Sequence, residues 1–313
     1  MDMGAATTDC VPIPWHADVW TQVARHGPGQ QSGPMSITNR SIIYRLHPPE
    51  GEPFLVVLNG LWVDEGSDQP FAGLRALEAS TGSRIRFVLA PGASHHISLH
   101  HYARAFPDAR VCVADGRIPR ANPSLMEEPN VEAYPVSSPP PELGAAGLRV
   151  RVVAGLMEGP LTKRVALLTS RIFGYVPDST EPMVFLHEPT RTFTSGGHQW
   201  WFVPADEPAV FVAPRLMTSM MALMGLDIRY MVPGKITLEC TGGFAVHDRE
   251  ALRQSCAEIL SWEFDALLDV HAQANKSPRE GAKALLEEAL GPIVRGEWDQ
   301  VPYPAGVLPN ASA

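Results

Sequence analysis

Residues 86–102 read Arg86-Phe-Val-Leu-Ala-Pro-Gly-Ala-Ser-His-His-Ile-Ser-Leu-His-His-Tyr102. The apolar run at the start is typical of a buried strand, Pro91-Gly92 predicts a turn, and the histidines that follow open a predicted helix through Ala105. Phe54-Leu-Val-Val-Leu58 and residues 109–114 predict two further strands, and a helix is expected over about 68–79. This strand–helix–strand–helix–strand order predicts a layered sheet with crossover helices.

The second half of the chain repeats strands and then helices. After a proline-rich loop, residues 148–153, 183–187 and 199–203 predict strands of an antiparallel meander. A helix is expected from about Asp248, which caps it, and a last helix is expected from Ser277 to Gly291-Pro292. Two such halves fit an α/β fold, a four-layer αββα sandwich in which helices cover two packed sheets.

Three segments are expected along the chain. Residues 1–38 are rich in Gly, Pro, Gln and Ser and predict a partly irregular N-terminal arm. Residues 39–295 form the body of the fold, and residues 296–313 form a C-terminal tail.

Composition limits the partners of the 313-residue chain. A net charge of -9 argues against broad binding to nucleic acid or anionic membranes, which requires a basic face. The four cysteines form no CxxC pair, and the N-terminus lacks the pattern of a signal peptide, so we expect reduced thiols in a cytoplasmic protein. The expected partner is a small-molecule substrate, with no nucleic acid and no membrane, and a homo-oligomer is left open.

Four of the eleven histidines lie within seven residues, at His95, His96, His100 and His101. They follow a buried strand directly, and the carboxyl ends of such strands are where α/β folds place their sites. On a helix, His96 and His100 would lie one turn apart, a spacing that lets two imidazoles bind one metal. The alternative is a polar helix face, or histidines that are hydrogen-bonded in place.

Several stretches of the chain resemble the metallo-β-lactamase-like superfamily, and in particular a divergent branch of it. They are Phe54-Leu-Val-Val-Leu-Asn-Gly60, Phe87-Val-Leu-Ala-Pro-Gly-Ala-Ser-His-His96, Phe106-Pro-Asp-Ala-Arg-Val111, Met183-Val-Phe-Leu-His-Glu-Pro-Thr-Arg-Thr-Phe193 and Phe264-Asp-Ala-Leu-Leu-Asp-Val-His271. The resemblance spans about residues 40–295. It implies an αββα sandwich with a metal site at one edge of the sheets.

The sequence departs from the family's metal motif. The superfamily usually carries His-x-His-x-Asp-His after this strand, and here the first two histidine positions fall on Pro91 and Ala93. His95 stands at the aspartate position and His96 at the final histidine. The family's mid-chain histidine falls near residues 154–156, which contain none. The resemblance therefore implies that one metal subsite has lost its ligands.

The other subsite keeps its candidates. The last histidine of the family's site matches His271, and the bridging aspartate falls near Gly197, next to His198. This subsite would consist of His95, His96 and His271, joined by His198, and His100 and His101 are additional candidates that could form a site of another kind. The candidate metal ligands are therefore histidines, with few or no carboxylates: His95, His96, His100, His101, His198 and His271.

A set of imidazole ligands favours Zn, Cu, Fe or Ni over Mg and Ca, which prefer oxygen ligands. We expect Zn or Fe, with Cu as a third candidate. The leading hypothesis is a metal-dependent hydrolase that acts on a small organic substrate. One alternative is an iron- or copper-dependent oxidoreductase on the same scaffold, and another is a non-catalytic descendant that binds a ligand or a partner. No Gly-x-Ser-x-Gly or GxGxxG pattern is present.

Overall fold

The computed structural model describes residues 7–26, 36–63, 69–92, 95–96, 98–115, 117–135, 139–158, 183–196, 200–202, 211–212, 236–238, 244–246, 248–271 and 281–298. The strands are β1 (Thr7–Pro12), β2 (Val19–His26), β3 (Ser36–Leu46), β4 (Phe54–Leu58), β5 (Arg84–Leu89), β6 (Arg110–Ala114), β7 (Val131–Tyr134), β8 (Leu148–Val152), β9 (Leu156–Glu158), β10 (Met183–His187), β11 (Thr192–Ser195), β12 (Trp200–Phe202), β13 (Phe211–Val212), β14 (Ile236–Leu238), β15 (Phe244–Val246) and β16 (Ala266–Asp269). The helices are α1 (Gln69–Thr81), α2 (Leu99–Ala105), α3 (Arg117–Ala121), α4 (Pro141–Ala145), α5 (Arg249–Leu260) and α6 (Ala282–Arg295).

Two large sheets form the centre of the fold. The first has the order β1-β2-β3-β4-β5-β6-β7, with β13 paired to β3. Its strands β1 to β4 pair antiparallel, whereas β4 to β7 pair parallel. The second sheet has the order β16-β11-β10-β8, in which only the β11–β16 pair is parallel. Parallel strands are usually buried on both faces, which explains why β4 is apolar along its whole length.

Three apolar cores separate four layers. Leu55 and Val57 of β4 pack with α1 and α2 on the outer face of the first sheet. Val56 and Leu58 point the other way, into a middle core that also contains Phe185 and other side chains of the second sheet. On the far side of the second sheet, its residues pack against α5 and α6. The αββα sandwich predicted from the sequence is confirmed, and its middle core draws on both halves of the chain.

The N-terminal arm contributes regular structure to the first sheet. The arm was expected to be partly irregular, and the structure forms β1 and β2 from it. Strand β2 pairs with β3 over eight consecutive residue pairs. Val19 is fully buried in the middle core, so this strand is held by burial as well as by its ladder.

Helices α5 and α6 begin at Arg249 and Ala282. The Asp248 side chain accepts a hydrogen bond from Ala251 N at 2.9 Å, as predicted. Helix α6 begins after Gly281, and the expected start at Ser277 lies outside the described residues. The expected end at Gly291-Pro292 is wrong, because α6 continues to Arg295. Pro292 lacks an N–H and so removes one helical hydrogen bond. This segment is, however, buried in the core between the second sheet and the C-terminal helices, and that burial stabilises the continued helix.

Two smaller findings concern the expectations from composition. Over the ranges that the structure describes, no helix is both long enough and apolar enough to cross a bilayer. Cys10, Cys112 and Cys256 are free thiols. Cys240 lies outside the described residues.

Candidate functional site

The candidate site lies where strands of both sheets reach their carboxyl ends. Strand β5 leads through Pro91 toward the histidine cluster, and β16 leads into Val270 and His271. Two backbone hydrogen bonds join the sheets at this edge, from Arg40 N to Val270 O at 2.7 Å and from Met183 N to Pro91 O at 2.8 Å. Residues from the two halves of the chain are therefore held next to each other here, as expected for a site in an α/β fold.

His95 and His271 meet at this edge. Their ring centroids are 5.3 Å apart and their planes are inclined by 41°. Both side chains are buried, with 8% of His95 and 3% of His271 exposed. The Nε2 atoms of both rings are also buried. Two imidazoles at this separation can direct nitrogen atoms toward a shared ligand, so the pair forms the centre of the candidate site.

His95 is held by a chain of buried amides. Its Nδ1 lies 2.6 Å from Oδ1 of Asn59, which is completely buried and follows β4 directly. Nδ2 of Asn59 donates to Arg40 O at 2.8 Å and to Oδ1 of Asn39 at 2.6 Å. The ring of His95 is thus oriented by residues of β3 and of the turn after β4.

His271 is held by the buried carboxylate of Asp269. Oδ1 of Asp269 accepts a hydrogen bond from the backbone N of His271 at 2.7 Å, and Oδ2 accepts one from Oγ of Ser195 at 2.5 Å. A side-chain oxygen that binds the N–H two residues later forms an Asx turn, which sets the local direction of the chain. Asp269 therefore fixes how His271 leaves the end of β16.

The other clustered histidines lie in two places. Because α2 begins at Leu99, His96 precedes the helix and does not share a helical face with His100, contrary to expectation. Ser98 occupies the cap position, and its Oγ accepts a hydrogen bond from Val63 N at 2.8 Å. Nδ1 of His96 lies 3.5 Å from Nδ2 of Asn122.

His100 and His101 are neighbours on α2. Their ring centroids are 3.8 Å apart, and both side chains are half-buried. His198, the sixth predicted ligand, lies outside the described residues.

The pair formed by His95 and His271 fits a metal ion in part. Imidazole nitrogen is a suitable ligand for zinc, iron and copper. A catalytic zinc ion usually has three protein ligands, and the described residues bring two imidazoles together. In the part of the chain covered by the structure, no group of three or more His, Cys, Asp and Glu residues is arranged to hold a metal.

Sequence reasoning missed Asn59, Ser195 and Asp269. Each lies at the carboxyl end of a buried strand, the same kind of position from which the histidine cluster was predicted to form a site. In the sequence, Asn59 directly follows an apolar stretch, and Asp269 lies two residues before His271. The signal that could have found them is a polar residue directly at the end of an otherwise apolar strand.

Comparison with known proteins gives likenesses of fold. No family model matches the sequence, and no curated protein matches it. Among solved structures, the chain is similar to a metallo-β-lactamase from Pontibacter korlensis, with 9% identity, 91% of this chain and 98% of that chain covered, and a TM-score of 0.47. It is also similar to the metallo-β-lactamase FIM-1 from Pseudomonas aeruginosa in its mono-zinc form, with 12% identity, 94% and 97% coverage, and a TM-score of 0.47. A metallo-β-lactamase from Hirschia baltica has 8% identity, 95% and 100% coverage, and a TM-score of 0.46.

Proposed function

We propose that the chain is a metal-dependent hydrolase that acts on a small organic substrate, and that His95 and His271 are two of its metal ligands. The contact between these two rings carries the proposal, because it joins residues from opposite halves of the chain at a buried sheet edge. We propose that a third metal ligand comes from the remaining candidate histidines, which are His96, His100, His101 and His198.

The proposed metal is zinc or iron, with copper as a third candidate, since imidazole donors suit these ions better than magnesium or calcium. A bound zinc ion with an open position would act as a Lewis acid and supply an ionised water at about pH 7. The protein's own contribution is to hold the two histidine side chains in place. Asn59 holds His95 through Nδ1, and Asp269 holds the backbone of His271. The burial of both rings would limit the access of bulk water to a metal bound there.

Metal analysis of purified variants tests the ligand assignment. The unmodified protein, His95→Ala, His271→Ala and His47→Ala are expressed with zinc and iron supplied, and metal per chain is measured. His47 is a matched control because its side chain is 53% exposed and pairs with Asp18, away from the site edge. We expect metal in the unmodified protein and in the His47 variant, and loss of metal in the other two.

A panel of small esters, lactones and phosphate esters then tests for hydrolysis. We expect turnover by the zinc-loaded protein and none by His95→Ala. Iron or copper in the purified protein, without hydrolysis, would instead support an oxidoreductase. The absence of any metal from the unmodified protein would contradict the proposal and support a binding role.

A further inference from the structure

We infer that Asn59 is a positioning residue that fixes the tautomer of His95, so that Nδ1 carries the ring proton and Nε2 carries the lone pair. The relevance of this tautomer to catalysis rests on the proposed function, in which His95 is a metal ligand. The tautomer itself is a property of the metal-free protein.

The orientation of the Asn59 amide follows from its neighbours. One end of the amide lies 2.8 Å from the carbonyl oxygen of Arg40. A backbone carbonyl only accepts hydrogen bonds, so the NH₂ group of Asn59 must lie at this end. The oxygen of the amide therefore faces His95, whose Nδ1 is 2.6 Å away. Because that oxygen has no hydrogen, Nδ1 of His95 must be the donor.

The surroundings of Asn59 prevent the amide from turning over. The residue is completely buried, and its NH₂ group also donates to Oδ1 of Asn39 at 2.6 Å. Its backbone N donates to Leu89 O at 3.0 Å, and its backbone O accepts from Oγ of Ser41 at 2.5 Å. The backbone has a φ of 61°, in the left-handed region that asparagine tolerates better than most residues. Rotation of the amide would set its oxygen against the carbonyl oxygen of Arg40, which can only accept.

The fixed tautomer suits a ligand that acts through Nε2. A neutral imidazole has one protonated nitrogen and one with a lone pair, and the hydrogen bond at one nitrogen decides which is which. Metal-binding histidines commonly donate their other N–H to a carbonyl or carboxylate, which sets the ring's orientation and tautomer. In this chain the acceptor is a neutral amide, and it is itself held by Asn39 and by the Arg40 carbonyl.

Nitrogen NMR of the metal-free, full-length protein tests the inference. Histidine is labelled with ¹⁵N, and long-range proton–nitrogen spectra distinguish a protonated ring nitrogen from one with a lone pair. The His95 signals are assigned by their loss in His95→Gln. We expect a protonated Nδ1 and an unprotonated Nε2 in the unmodified protein. A protonated Nε2 would overturn the inference without any variant of Asn59.

Two substitutions then separate positioning from packing. Asn59→Gly keeps the left-handed backbone, which glycine adopts readily, and removes the acceptor, so His95 should populate both tautomers. Asn59→Asp retains an acceptor toward His95 and should restore the Nδ1-protonated form. Aspartate should also lower stability, because its second oxygen faces the Arg40 carbonyl. Ser41→Ala is the structural control, since it removes the bond to Asn59 O and should leave the His95 tautomer unchanged. A single Nδ1-protonated form in Asn59→Gly would overturn the inference.

Metal affinity supplies the second measurement. If His95 is a ligand, Asn59→Gly should weaken metal binding about 10- to 100-fold, with Asn59→Asp closer to the unmodified protein. Affinity in Asn59→Gly equal to that of the unmodified protein would contradict a positioning role. Failure of the proposed function would give a different result. If the protein binds no metal but His95 is in the Nδ1-protonated form, the inference about Asn59 holds and only the proposed hydrolase function is contradicted.

Discussion

Tyr44 and Thr194 join the two sheets through a hydrogen bond of 2.6 Å between their hydroxyl groups. Tyr44 lies on β3 of the first sheet and Thr194 on β11 of the second, and both side chains are completely buried. The bond crosses the middle core, in which most side chains are apolar and come from both sheets. It is a polar contact that helps fix how the sheets pack.

Removal of the Tyr44 hydroxyl should therefore destabilise the whole fold. In Tyr44→Phe the Thr194 hydroxyl stays buried and loses its partner, which typically costs about 1–3 kcal/mol. Tyr44→Phe combined with Thr194→Val should recover part of this loss, because no polar group is then left in the core. Urea unfolding of the single and double variants measures both effects.

Tyr134→Phe is the matched control for that experiment. The Tyr134 hydroxyl is also buried but donates to the sulfur of Met183, a weak acceptor. Its loss should cost less than the loss at Tyr44. Equal destabilisation by the two substitutions would show that the bond between the sheets has no special contribution.

The layers of the fold could be predicted because each strand carries its own signal. The end of β5, Phe87-Val-Leu89, is an apolar run before the turn residues Pro91-Gly92, and alternate residues of β4 pack into the cores on either side of the first sheet. Strands β1 and β2 were missed, since Gly- and Pro-rich composition around them favours loops and their stability comes from pairing with β3. The end of α6 was missed for a related reason, because burial of Pro292 outweighs its poor local propensity.

The candidate site could be predicted only where residues are close in sequence or match a family position. The histidine cluster and His271 were found in these two ways. The contact of His95 with Asn59 joins residues 36 positions apart, and the bond of Ser195 to Asp269 joins residues 74 positions apart. Such contacts arise from the pairing of strands and their shared edges, and no local pattern contains them.

His187 should make the fold sensitive to acid. Burial, with smaller contributions from the nearby charges of His16 and His47, lowers the pKa of His187 from 6.5 to about 3. Between these pH values the unfolded chain binds a proton at this position and the folded chain does not. The free energy of unfolding should therefore fall as the pH drops below 6.5, by up to about 1.4 kcal/mol per pH unit from this group.

The comparison with His187→Gln isolates that contribution. Glutamine cannot titrate and can still form a hydrogen bond with Oγ1 of Thr190, which lies 2.9 Å from Nδ1 of His187. Its stability should fall less steeply than that of the unmodified protein from pH 6.5 to 4, as measured by urea unfolding. An NMR titration in which the His187 ring gains its proton near pH 6.5 would contradict this account.

Gly196 should tolerate no side chain. A Cβ atom at this position would lie 2.0 Å from Met183 O and 2.6 Å from Pro91 O, both of them backbone atoms beside the candidate site. Because backbone cannot move aside as a flexible side chain can, Gly196→Ala should destabilise the fold by about 1–3 kcal/mol or more. Gly144→Ala is the control, since a Cβ there would meet no neighbouring atom within 4 Å outside its own stretch of helix, and alanine favours the helix. Thermal unfolding should show a loss for the first variant and no loss for the second.

Asp269 should support the metal site without binding the metal. Both of its oxygens accept hydrogen bonds from protein donors, and the one from His271 N sets the position of the proposed ligand. Asp269→Asn keeps an acceptor for His271 N and should retain metal, whereas Asp269→Ala loses the Asx turn and should bind metal about 10- to 100-fold more weakly. Metal affinity of the two variants, measured beside His271→Ala, separates the roles. If Asp269→Asn loses metal as completely as His271→Ala does, the carboxylate is itself a ligand, and a site made of histidines alone is excluded.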